Sequence, residues 1–189
     1  MRQTKYFGNK PVWRAAYGFY KQRLPKKLQH WLWDPGSLTD RLIEQCVSNF
    51  AVQVLTEGWQ KPFYDEGLIL GMPRGEYGFV RQVYLVCDGL PWVFARTVIP
   101  QNTLVGAVKG LTRLGNQSLG KVLFERPGII RGQLQVAQLT QGQAIYESAG
   151  QACVDIDQVI WGRRSIFFIK DKPLLVNEVF LPDAICYRE

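Results

Sequence analysis

Residues 79 to 100 of this chain read FVRQVYLVCDGLPWVFARTVIP. Two runs rich in Val, Tyr, Phe, Leu and Trp flank Asp88-Gly89, and an Asp-Gly pair between apolar arms is a strong local signal for a β-hairpin. With Asp88 and Gly89 as a two-residue loop, Cys87 faces Leu90, Leu85 faces Trp92, Val83 faces Phe94 and Arg81 faces Arg96. A three-residue loop would shift that pairing by one. In the first register two arginines lie opposite one another on an apolar face. Like charges so placed are destabilising, and isolated charge on an apolar face is costly, so the register predicts an anionic partner for the pair.

The elements around the hairpin alternate between helical and strand patterns. Leu28 to Trp33 predicts a short helix, and SLTDRL from Ser37 predicts another, with Ser37 or Thr39 as N-cap. Residues 50 to 57 alternate as a strand. The stretch from Gly58 to Gly78 is rich in Gly and Pro and has the length of a functional lid. Beyond the hairpin, a helical stretch from Thr103 ends at Gly115, and a second short helix starts near Ser118. Residues 129 to 140 predict a strand, residues 141 to 158 an insertion, and the chain closes in a second hairpin turning near Asp171-Lys172. Helices and antiparallel hairpins without strand–helix–strand units predict an α+β fold on an antiparallel sheet, as one domain spanning residues 1 to 189, with residues 1 to 27 a basic and aromatic leading segment.

Composition narrows the function. The net charge of +7 suits nucleic acid, an acidic surface or a small anion, but the basic residues are dispersed and no nucleic-acid-binding signature accompanies them. Cys46, Cys87, Cys153 and Cys186 are far apart, which predicts reduced core thiols rather than a zinc site. There is no run of 18 apolar residues and no apolar leader, so a cytoplasmic location is expected. His30, the sole histidine, sits among Lys26, Lys27 and Gln29 and is a poor catalytic base. Neither a phosphate-binding glycine motif nor metal-ligand spacing occurs, so no cofactor is expected.

Glu178 stands apart. It shares a strand face with Leu174, Val176 and Phe180 in the run LLVNEVFL, so it is expected to be buried. A carboxylate there must be paired, protonated or held for a task, and Arg163, Arg164 and Arg81 are the available structural partners.

Taken together, SLTDRL at 37 to 42, R-x-V-x-L-x-x-DG-x-PW-x-x-ART-V-x-P from 81 to 100, LG-x-x-x-LGKVLF from 114 to 124, and WGRRS with PLLVNEVFLP from 161 to 182 resemble the chorismate pyruvate-lyase family. The resemblance runs from about Leu28 to Pro182. It implies conversion of chorismate to 4-hydroxybenzoate and pyruvate for quinone biosynthesis, without metal or organic cofactor, in a monomer whose buried site on an antiparallel sheet is covered by helical flaps. Carried over by motif, Arg81 holds a carboxylate, backbone groups at Leu38 and Leu119 help clamp the ring acid, and Glu178 sits at the ring oxygen. The family commonly has Met where this chain has Leu38. Arg96 is an extension of that scheme, assigned to the enolpyruvyl carboxylate because chorismate is a dianion. The competing reading is a ligand-sensing domain of the same fold, as found in some bacterial transcription regulators; it would be joined to a DNA-binding domain, for which the first 25 to 30 residues are too few.

Overall fold

Strands β3 (Gly78–Cys87) and β4 (Leu90–Pro100) pair antiparallel about Asp88-Gly89. Both turn residues have positive φ, 51° and 82°, as the tight mirror-image turn requires. Cys87 faces Leu90, as expected, but the ladder then slips: Leu85 faces Val93, Arg81 faces Thr97, and Gln82 faces Arg96. Trp92 is the additional residue of a β-bulge. The packing explains it, because Trp92 and Val93 are consecutive yet both fully buried in one cluster, which an unbroken alternation would forbid. Pro91, which cannot donate to the ladder, sits beside the irregularity. One inserted residue sends Arg96 to the opposite face from Arg81, so the expected arginine pair does not form.

The computed structural model describes residues 9–16, 24, 26–104, 106–152 and 159–187. Among these, the hairpin lies inside an eight-stranded antiparallel sheet, one strand in from its β2 edge. The remaining strands are β1 (Arg14–Ala15), β2 (Phe50–Gln60), β5 (Ile129–Arg131), β6 (Gln135–Leu139), β7 (Ile160–Ile169) and β8 (Lys172–Phe180). The order is β1-β6-β7-β8-β4-β3-β2, with β5 pairing to β7. The strand expected over 129 to 140 is therefore two, β5 and β6. The β7–β8 turn uses Lys170 and Asp171, both at positive φ.

Each face of the sheet carries its own core. On one, α1 (Lys26–Leu32) and α2 (Leu38–Gln45) bury Leu28, Trp31, Leu32, Leu38 and Leu42 against Val83, Leu85 and Phe180. Beside them, α4 (Leu119–Glu125) and a 3-10 segment (Gly106–Arg113) pack Leu111, Leu119 and Leu123 on Phe79, Phe167 and Val176. The far face is covered by α3 (Tyr64–Ile69) and α5 (Ala144–Ala149), whose Ile145, Tyr146 and Ala149 meet Tyr84, Phe94 and Val179. The Gly/Pro-rich connection expected as a lid thus carries α3 to the far face. Residues 141 to 158 contain α5; residues 153–158 lie outside the described set.

The Cys46 and Cys87 sulfurs form a disulfide with a Cα–Cα distance of 5.3 Å, which corrects the expectation of reduced thiols throughout. Their separation of 41 residues hides that the end of α2 returns to the end of β3. The same corner is held by Asp88, whose carboxylate accepts N–H bonds from Val47, Ser48 and Asn49 and one from the Ser48 hydroxyl. Cys186 is a buried free thiol, and burial pushes its pKa up to about 12; Cys153 lies outside the described residues. No helix among the described residues is long and apolar enough to cross a membrane.

Candidate active site

Adjacent strands β7 and β8 place Arg163 directly across from Glu178. Arg163 Nε donates to Glu178 Oε2 at 2.5 Å, and its Nη1 donates to the backbone oxygens of Trp31 and Asp34 at 2.8 and 2.9 Å. Of the three structural partners open to Glu178, Arg163 is the one that pairs with it. Arg131 adds a second positive charge. Its Nε donates to Ser165 Oγ at 2.9 Å, its Nη1 donates to Pro35 O at 2.7 Å, and burial lowers its pKa while Glu178 opposes that shift.

Two strands away on the same face, Arg81 is 3% exposed. Its Nε donates to Glu57 Oε2 at 3.0 Å, and its Nη2 donates to Gly115 O at 2.5 Å and Gln117 O at 3.1 Å. Nη1 is the nitrogen these bonds leave over. Burial depresses the guanidinium's pKa, and Glu57 partly restores it; an arginine so placed stays charged at neutral pH.

Between Arg81 and Glu178 lies an enclosed cavity of about 30 Å³, walled by Val83, Leu85, Ala95, Val176 and Leu119, with Thr97, Thr39 and Ser118 as further polar lining. A larger groove of about 520 Å³ runs outside it, past Ile43, Phe50, Asn116 and Lys121, and shares Thr39 and Ser118. The hydroxyls of those two residues are 2.5 Å apart. They join the starts of α2 and α4 and form the partition between cavity and groove. Both helices begin as the sequence predicts: Ser37 Oγ accepts the N–H of Asp40, and Ser118 Oγ that of Lys121.

The structure therefore brings Arg81, Leu119 and Glu178 to one cavity. The Leu38 side chain is in the core, and its neighbour Thr39 lines the cavity, so any contribution of Leu38 is through its backbone at the first turn of α2. Arg96 is excluded. Both Arg96 and Glu66 are 1% exposed on the far face, where Arg96 Nε donates to Glu66 Oε1 at 2.9 Å and Nη2 to Oε2 at 3.0 Å. Asn177 Nδ2 donates to the same carboxylate at 3.0 Å, and the Phe63 ring stacks at 3.8 Å. Its charge is thus answered by α3. Sequence reasoning missed Glu57, Arg131, Thr97, Thr39 and Ser118. The Glu57–Arg81 pairing was open to discovery as a cross-strand neighbour, had the β2–β3 register been known.

Chemically, the cavity offers a guanidinium at one end, a carboxylate backed by guanidinium groups at the other, and apolar walls between. That arrangement matches in charge and polarity a flat ring bearing an anionic group on one side and a proton-carrying oxygen on the opposite side, which a cavity of about 30 Å³ admits once its walls move apart. Among the described residues, no group of three or more His, Cys, Asp or Glu could hold a metal ion.

The sequence profile of a family described as chorismate lyase matches residues 9–189. A protein of Aromatoleum aromaticum named probable chorismate pyruvate-lyase is 42% identical over 167 residues, covering 87% of this chain and 90% of that protein. One of the same name from Pseudomonas putida is 43% identical over 152 residues, covering 80% and 78%. Among solved structures, a GntR-family transcriptional regulator from Bacillus cereus superposes with a TM-score of 0.53 at 11% identity, covering 72% of this chain and 94% of that one. The effector domain of PhnF from Mycobacterium smegmatis gives 0.51 at 15% identity, covering 78% and 90%. These two likenesses concern the fold alone.

Proposed function

This chain belongs to the chorismate lyase family, and from that premise we propose that the cavity between Arg81 and Glu178 is where it works. The protein eliminates pyruvate from chorismate to give 4-hydroxybenzoate, a precursor for quinone biosynthesis. The observation that carries the placement is that one small cavity is lined by both the buried Arg81 guanidinium and the Glu178 carboxylate, which is 13% exposed rather than fully buried as its strand face suggested, with apolar walls between them.

Chorismate has one carboxylate on its ring and a second on an enolpyruvyl ether, attached to the carbon next to the one bearing the hydroxyl. Elimination breaks the bond from ring carbon to ether oxygen and removes the hydrogen from the hydroxyl-bearing carbon. The ring becomes aromatic with its hydroxyl para to the ring carboxylate, and the departing enolpyruvate takes up a proton to become pyruvate. Arg81 Nη1 receives the ring carboxylate, helped by backbone N–H groups at Leu38 and Leu119, where starting helices leave donors without intrahelical partners. A charge-assisted bond of this kind contributes about 1.5–3 kcal/mol. Val83, Leu85 and Val176 hold the ring flat, which favours the planar product geometry. Glu178 hydrogen-bonds the oxygen at the far end and serves the proton transfer there.

A cytoplasmic, monomeric enzyme that engages no nucleic acid is the corresponding reading, supported by the dispersal of its basic residues. The test is incubation of the purified protein with chorismate in buffer containing a chelator, with pyruvate and 4-hydroxybenzoate both assayed. Stoichiometric formation of the two products is expected. Loss of activity on chelation, restored by a divalent cation, would overturn the cofactor-free mechanism, and binding of 4-hydroxybenzoate without turnover would replace catalysis by ligand sensing.

A further inference from the structure

We propose that Arg163 receives the second carboxylate of the substrate, the one carried away on the leaving enolpyruvate. The inference rests on the reading of the cavity as the chorismate site. Arg163 is fully buried, and its Nη2 has no hydrogen-bond partner among the described residues, although a buried guanidinium nitrogen without one is costly. The planar guanidinium decides which way that nitrogen points. Nη1 is turned toward the backbone oxygens of Trp31 and Asp34, so the opposite edge, formed by Nε and Nη2, faces Glu178. Glu178 lines the cavity. Nε is taken by Glu178 Oε2, and Nη2 lies beside it with both hydrogens unclaimed.

The chemistry supplies a partner at that place. In chorismate the ether-bearing carbon adjoins the hydroxyl-bearing one, so a ring with its carboxylate on Arg81 and its hydroxyl at Glu178 carries the enolpyruvyl group next to Glu178, and one of the two ways of seating the ring turns it toward Arg163. With Arg96 sealed against Glu66 on the far face and Arg131 bonded to Ser165 and Pro35, Arg81 and Arg163 are the buried guanidinium groups of this face that keep a nitrogen for two carboxylates. The two assignments differ in a measurable way. 4-Hydroxybenzoate has lost the enolpyruvyl carboxylate, so Arg163 meets the substrate directly and the product only through Glu178, and should matter more for substrate than for product.

The experiment compares binding of 4-hydroxybenzoate, 3-ethoxy-4-hydroxybenzoate and 3-(carboxymethoxy)-4-hydroxybenzoate by titration calorimetry, in the parent protein and in Arg163→Lys. The parent is expected to bind the carboxymethoxy compound about ten- to a hundredfold more tightly than the ethoxy compound, the ratio set by one charge-assisted hydrogen bond. Arg163→Lys, which keeps the positive charge but not the fork, should lose most of that ratio, raise KM for chorismate by a similar factor and, acting on the product only through Glu178, change 4-hydroxybenzoate affinity by less than that factor. If that variant fails to fold, the parent comparison decides alone. Binding of 4-hydroxybenzoate with no gain from the added carboxylate would overturn the role of Arg163 while leaving the cavity assignment standing. No binding of any of the three would overturn both.

Discussion

Replacing Arg81 with Ala perturbs the proposed cavity at its cationic end, and the structure allows the consequence to be divided in two. Nε and Nη2 are engaged by Glu57, Gly115 and Gln117, so a single nitrogen, Nη1, remains for the ligand carboxylate. One charge-assisted bond of about 1.5–3 kcal/mol corresponds to a Kd for 4-hydroxybenzoate raised about ten- to a hundredfold. The structural loss is separate. Gly115 and Gln117 lie in an exposed turn, and Glu57 is 27% exposed, so water can replace the guanidinium at each. Three lost hydrogen bonds then cost about 1.5–4.5 kcal/mol, against a typical domain stability of about 5–15 kcal/mol, and the variant should fold. Titration calorimetry with 4-hydroxybenzoate, paired with a thermal melt, reads both quantities. Glu57→Gln is the control: it disturbs the same ion pair but leaves Nη1 and its charge in place, so product affinity should not fall. A folded Arg81→Ala protein that binds 4-hydroxybenzoate with the parent's Kd would refute the reasoning and remove Arg81 from the site.

Glu178→Gln keeps the shape of the side chain and removes its charge; positioned proton transfer is worth about 10²–10⁴-fold, so kcat for chorismate should fall within that range, and turnover at the parent rate across pH would reduce Glu178 to a structural partner of Arg163. Arg96→Met strands the buried Glu66 carboxylate and should cost about 3–5 kcal/mol of stability in a denaturant titration, leaving product affinity in the folded protein unchanged; a weakened Kd without lost stability would return Arg96 to the site. Asp88 accepts four hydrogen bonds, led by the backbone N–H of Asn49, which hold its carboxyl well below the usual carboxylate range. A depressed folded-state pKa stabilises fully above the unfolded value and less as pH falls beneath it. Asp88→Asn should therefore flatten the dependence of Tm on pH below about 4, and an acid limb as steep as the parent's would show the nest to be energetically idle.

The parts of the fold read correctly from sequence are those decided locally. Asp88-Gly89 dictates a turn by its φ requirements, Ser37 and Ser118 cap helices by bonds within four residues, and the alternation around Glu178 places it on a face with Val176 and Phe180. What escaped depended on contacts between distant segments. The bulge at Trp92 is set by a core to which α1 and α2 contribute, and no pattern within the hairpin announces it. Glu66 neutralises Arg96 from 30 residues away, so Arg96 looked unpartnered when it was not. Arg81 and Glu178 were legible because each is a charge in an apolar run, whereas Thr39 and Ser118, ordinary hydroxyls at helix starts, carry no comparable contrast.

The bulge makes the spacing of β4 itself a chemical variable. An in-frame gain of one codon between Val93 and Arg96, with the bulge kept, would shift the ladder by one, turning Arg96 toward Arg81 and Thr97 toward Glu66. The near side would then hold two opposed guanidinium groups, and the far side would hold a carboxylate with no cation. A substitution alters one side chain on one face, but this insertion would exchange the electrostatics of both layers at once. The chain's surface turns can absorb gains and losses of length in the course of descent, whereas the eleven residues of β4 should tolerate replacement and not resizing.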